Sequence, residues 1–153
     1  MNRRNLLSSL LAALFGWTDD GFAADEPISV IVAKRSKVSA VDRDELRQIF
    51  QTNRTTWSQT GDRVLPLNLP DKSPVRHDFD RAVLGLDPDR VSRYWVDRKI
   101  RGDARPPRTA PNPAAVVRAV ESNPQLVGYV PASDVSGDVK VIARIVDGKL
   151  QGA

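Results

Sequence analysis

Three dipeptides set the frame of this chain. Ser73-Pro74, Asp87-Pro88 and Asn112-Pro113 each place a side chain able to cap a helix directly before a proline. Proline brings a preset φ and lacks an N–H that the first turn does not need, so each pair marks a helix start. Apolar stripes follow at helical spacing: Val75, Phe79, Ala82 and Val83 up to a stop at Gly85; Val91, Tyr94 and Trp95; and Val116, Val117 and Val120 up to Asn123-Pro124. An earlier helix is predicted from Asp42, with Glu45 at capping-box spacing and Leu46, Ile49 and Phe50 on one face.

Runs rich in β-branched residues lie between these helices. PISVIVAK (27–34), VLPLNL (64–69), LVGYV (126–130) and VKVIARIV (139–146) read as strands, and Asp147-Gly148 turns the chain into a short last one. Pro66 places its strand near an edge or at a bulge. Trp57 should plug the polar loop 52–63 onto the core. The proline-rich, basic stretch 101–113 reads as a surface crossing. The order β-α-β-α-α-α-β-β predicts an α/β fold in three layers, a mixed sheet with helices on both faces.

Composition narrows the function. The 153 residues are 41% apolar and 27% charged, which suits one globular domain. Cysteine is absent, which removes disulfides, thiolate metal sites and cysteine nucleophiles together. The only histidine is His77. Ser73 and His77 are four apart on a helix and can meet, but only Asp78 and Asp80, read as exposed, could orient the ring. No enzymatic role, metal or cofactor is expected. Nucleic acid is not an expected partner, because the basic residues are not interleaved with aromatic platforms.

The first residues read as an export signal. A basic head, MNRR, precedes the apolar NLLSSLLAALFGW, and small residues at Gly21 and Ala23 suit cleavage after Ala23, with Ala24 as runner-up. An uncleaved anchor is the alternative. Residues 1–23 then form the signal and 24–153 a single periplasmic domain. Removal takes two arginines and two aspartates and leaves the net charge at +4. A basic exported domain suits small anions or acidic surfaces.

Several phrases line up in order: DELRQIFQTNRTTW, VLPLNL with a serine-headed helix, RYW, PP, VVRAVESNPQLVGYV and VKVIARIVDGK. Together they resemble the phosphate-binding proteins of bacterial ABC transporters, in the type II periplasmic binding protein superfamily, over about residues 28–149. The resemblance implies one lobe of a clamshell fold that holds its ligand between two lobes without catalysis. The chain has length for one lobe and little more. It would bind at an open surface, pair with a second copy as a homodimer, or have lost the ligand.

The stretch NLPDKSPVRHDF (68–79) corresponds to the family's phosphate loop, and it has changed. The family's pattern is an upstream arginine, then Ser-Gly-Thr opening the helix, then phenylalanine. Ser73 and Phe79 keep their spacing, but Pro74 and Val75 replace the glycine and threonine, and Asn68 and Leu69 stand in the neighbourhood of the arginine. Pro74 deletes an amide donor and Val75 a hydroxyl. The expected ligand contacts are Ser73, the amides of Val75 and Arg76, the side chains of Lys72 and Arg76, and Asn68. Two readings follow: a periplasmic solute-binding-like protein with a weak small-anion site at the Ser73 helix start, or a ligand-free interaction or sensing module of the cell envelope that retains the scaffold, the helix start then being only a structural cap. The second would meet its protein partner through Arg98, Arg101, Arg105 and Arg108, read as exposed.

Overall fold

The computed structural model describes residues 26–153, so the expected export signal lies outside the described residues. Strands β1 (Ile28–Ala33), β2 (Leu65–Asn68), β3 (Arg108–Thr109), β4 (Leu126–Pro131), β5 (Val139–Val146) and β6 (Lys149–Gly152) form one sheet in the order β3-β2-β4-β1-β5-β6. Pairing is parallel between β2 and both its neighbours, and antiparallel from β4 through β1 and β5 to β6. The sheet is therefore mixed, as the sequence predicts.

The helices are α1 (Arg43–Phe50), α2 (Pro74–Phe79), α3 (Pro88–Arg101) and α4 (Pro113–Ser122). Asp42, Ser73, Asp87 and Asn112 cap them, each side chain accepting from the amide three residues on. In the last three, proline occupies the first turn. The helix begun by α2 widens into a π-helical turn, Asp80–Leu84, and stops at Gly85 in the left-handed region. Among the described residues no helix is long and apolar enough to cross a membrane.

Two faces of the sheet are covered, which makes the three layers. On one side α4 lies so close to β4 that a Cβ on Gly128 would stand 2.6 Å from a methyl of Val116. On the other side Phe50 of α1 and Phe79 of α2 pack on Tyr129 of β4, with Phe79 and Tyr129 stacked at 3.7 Å between ring centres. Gly128 and Tyr129 are neighbours on one strand, so they must face opposite ways.

The sequence reading needs three corrections here. The crossing 101–113 contains the edge strand β3, two residues that lie parallel to β2. Glu45 does not reach back to its helix cap; its buried carboxylate accepts from the Ser58 amide at 2.6 Å, the Ser58 hydroxyl at 2.8 Å and Arg54 at 3.1 Å, pinning the loop that Trp57 plugs. On α3 only Val91 is fully buried, while Tyr94 and Trp95 are half-exposed.

Candidate functional site: the start of helix α2

Strand β2 ends at Asn68 and the chain reaches α2 through five residues, Leu69 to Ser73. This puts a helix start at the end of a strand, where oriented amides can hold an anion. The structure commits most of the expected contacts elsewhere. Ser73 Oγ accepts from the Arg76 amide at 3.3 Å, so hydroxyl and amide satisfy each other as a cap. The Val75 amide remains among the first-turn donors that a helix leaves without an internal partner. The Val75 side chain packs partly against the core, and Lys72 stands exposed.

Arg76 does not point out to solvent. It is buried at 6% exposure and turned back under the loop. Its guanidinium donates to the Leu69 carbonyl at 3.1 Å, forms a close ion pair with Asp71, and lies 3.4 Å from an oxygen of Asp80. A buried cation needs such partners, because an unpaired charge away from water is very costly. Asp80 is itself buried, which corrects its reading as an exposed group; burial pushes its carboxyl up to about 6, and Arg76 opposes that shift. Asp71 is different, with a side chain 88% exposed. An exposed carboxylate thus already occupies the guanidinium from the solvent side.

Asn68 is turned into the core. Its side-chain oxygen accepts from the buried Tyr129 hydroxyl at 2.9 Å, and that hydroxyl accepts from the Leu69 amide at 3.3 Å. Burial raises the Tyr129 pKa far above the usual phenol range, so the hydroxyl stays a donor. Asn68 therefore supports the loop from beneath instead of facing a ligand. Ser73 and His77 form no catalytic pair: Ser73 serves the cap, and His77 Nε2 lies 2.7 Å from the Asp71 carbonyl oxygen. Sequence reasoning missed Asp80 as a partner of Arg76. The spacing Arg76 to Asp80, one helical turn, was the available signal.

The arginines expected at a contact surface divide. Arg101, Arg105 and Arg108 are exposed. Arg98 is not: it folds over the rings of Tyr94 and Trp95 and donates to Tyr94 Oη, to the Gln51 carbonyl and to Asn53 Oδ1, tying α3 to the end of α1.

No protein-family model and no curated protein sequence matches the chain. Solved structures do. A phosphate transport receptor of the ABC type from Vibrio cholerae superposes with a TM-score of 0.60 at 19% identity, over 76% of this chain and 45% of that one. A phosphate ABC transporter substrate-binding protein with bound phosphate, from Clostridium perfringens, gives 0.61 at 18% identity, over 81% and 46%. PstS from Borrelia burgdorferi gives 0.57 at 13% identity, over 76% and 46%. The chain spans under half the length of each. Its α/β fold is thus that of one lobe of the phosphate-binding proteins.

Proposed function

We propose that the protein is an exported, single-lobe solute-binding-type protein whose α2 start takes a small anion weakly, in exchange for the carboxylate of Asp71. The observation that carries this reading is the exposed Asp71 carboxylate held by the buried Arg76 guanidinium at a helix start. An incoming phosphate or sulfate would accept from the guanidinium and from the free first-turn amide of Val75, with Lys72 adding charge from solvent. Pro74 and the absent hydroxyl at position 75 keep the affinity low, because each missing donor weakens binding by roughly tenfold or more. The fold likeness to phosphate-binding lobes supports the choice of ligand class.

The test is calorimetric titration of the wild type and Asp71→Asn with phosphate and with sulfate at low salt. We expect weak, millimolar-range binding by the wild type, tightened about tenfold or more in the variant. The absence of heat from both proteins with both anions would sink the anion reading.

A second reading has its own observation. Val96 and Ile100 stand 55% and 79% exposed on α3, a large apolar pair left uncovered among the described residues. That favours contact with an envelope protein or a second copy of the chain. Sedimentation equilibrium of the wild type and of Val96→Glu/Ile100→Glu distinguishes the second copy, which predicts a dimer lost in the variant.

A further inference from the structure

A second concave site lies alongside β2. A cavity of about 490 Å³ opens beside that strand and β3, in the size range of small-molecule pockets. Leu65, Leu67, Pro107 and Leu126 give it an apolar wall, and Arg63 and Arg108 line it too. No carboxylate lines it. Among the described residues, neither Arg63 nor Arg108 forms an ion pair or a side-chain hydrogen bond, whereas seven ion pairs occupy other cations. Both arginines are exposed, so their positive charge is available to a ligand.

A third feature belongs to the same wall. Thr52 holds a left-handed backbone, φ 57°, which is uncommon for a β-branched residue. Its hydroxyl is buried with no hydrogen-bond partner among the described residues. Such an unmet group is costly in a folded chain. The nearby end of α4 contributes partial negative charge through its last carbonyls, which two whole cations outweigh.

We propose that this cavity binds a small organic carboxylate, with its apolar body against the leucine and proline wall and its carboxylate on Arg63 and Arg108. The guanidinium fork matches a carboxylate in two parallel hydrogen bonds, and the partly enclosed wall rewards an apolar body that an inorganic anion lacks. The site is separate from the α2 start: none of Asn68, Asp71, Lys72, Ser73, Val75 and Arg76 lines this cavity.

The experiment titrates phenylacetate, its neutral counterpart 2-phenylethanol, and inorganic phosphate into the wild type, Arg63→Gln, Arg108→Gln, Ala119→Leu and Asp71→Asn, followed by NMR shifts of the backbone amides. We expect saturable phenylacetate binding that weakens about tenfold in each arginine variant, that Ala119→Leu blocks by filling the cavity, and that Asp71→Asn leaves unchanged. Circular dichroism checks that the variants are folded. Equal binding of 2-phenylethanol, or a phenylacetate affinity indifferent to both arginines, overturns the proposal. So does a response to Asp71→Asn alone, which would move the ligand to α2. Phosphate binding that responds to Asp71→Asn and not to the arginines supports the two sites as distinct.

Discussion

Replacing Tyr129 by phenylalanine tests the polar support beneath the α2 loop. Tyr129 is fully buried, and the stacked contact of its ring with Phe79 survives the change. The hydroxyl alone is removed. Asn68 Oδ1 then loses the donor at 2.9 Å and the Leu69 amide loses the acceptor at 3.3 Å, both in a dry environment. A buried group left unpaired costs about 1–3 kcal/mol, and the longer bond counts toward the low end, so the sum is about 2–4 kcal/mol. That is a large share of a total stability of about 5–15 kcal/mol. With an unfolding entropy of about 0.27 kcal/mol/K for about 130 residues, Tm should fall by about 7–15 °C. Urea denaturation and scanning calorimetry read the two quantities. A double-mutant cycle with Asn68→Leu should return a coupling of about 1–2 kcal/mol, since the double variant removes both members of the pair. A loss under about 0.5 kcal/mol for the single change, or a coupling near zero, refutes the buried network.

Two further outcomes follow from the same packing. Gly128→Ala places a methyl 2.6 Å from Val116 Cγ1 and 3.4 Å from Val120 Cγ2, so it should cost about 1–3 kcal/mol by denaturation, and Val116→Ala in the same chain should recover part of it. Asp80 predicts a pH trend opposite to that of a carboxylate whose pKa is lowered on folding. Its folded value of about 6 lies above the ordinary 3.8, so the folded state holds the proton more tightly and stability falls as pH rises through this window. The fall is about 3 kcal/mol at the order-of-magnitude level, and the difference between wild type and Asp80→Asn across pH 4–6, measured by urea denaturation, should carry it.

The frame was legible because caps and strands are local. Ser73-Pro74, Asp87-Pro88 and Asn112-Pro113 each start a helix within the residues that announce it. The phrase GYV acquires a physical meaning only in the fold: Gly128 lets α4 approach, Tyr129 holds Asn68 and Leu69, and Val130 fills the core. Strand β3 was not legible, because two exposed residues after a proline pair carry no alternation. Its register comes from β2, a partner some 40 residues earlier in the chain. The destinations of Glu45, Arg76 and Arg98 were hidden for a related reason. Charged residues at helical spacing look solvated, and only tertiary contacts show which of them turn inward.

Arg76 then decides how strongly the α2 start can hold anything. Three groups of the chain already satisfy its guanidinium: the Leu69 carbonyl, Asp80 and Asp71. Leu69 and Asp80 are fixed by burial, while Asp71 sits on the exposed loop. An external anion therefore competes with one tethered carboxylate. A short tether gives such a group an effective concentration in the millimolar range or above. A free anion with equal contacts must reach a similar concentration before it wins. The proposed site therefore predicts two outcomes of one geometry: weak binding by the wild type and release from competition in Asp71→Asn. A wild type that binds phosphate at micromolar concentration would mean that Asp71 does not guard the guanidinium in solution.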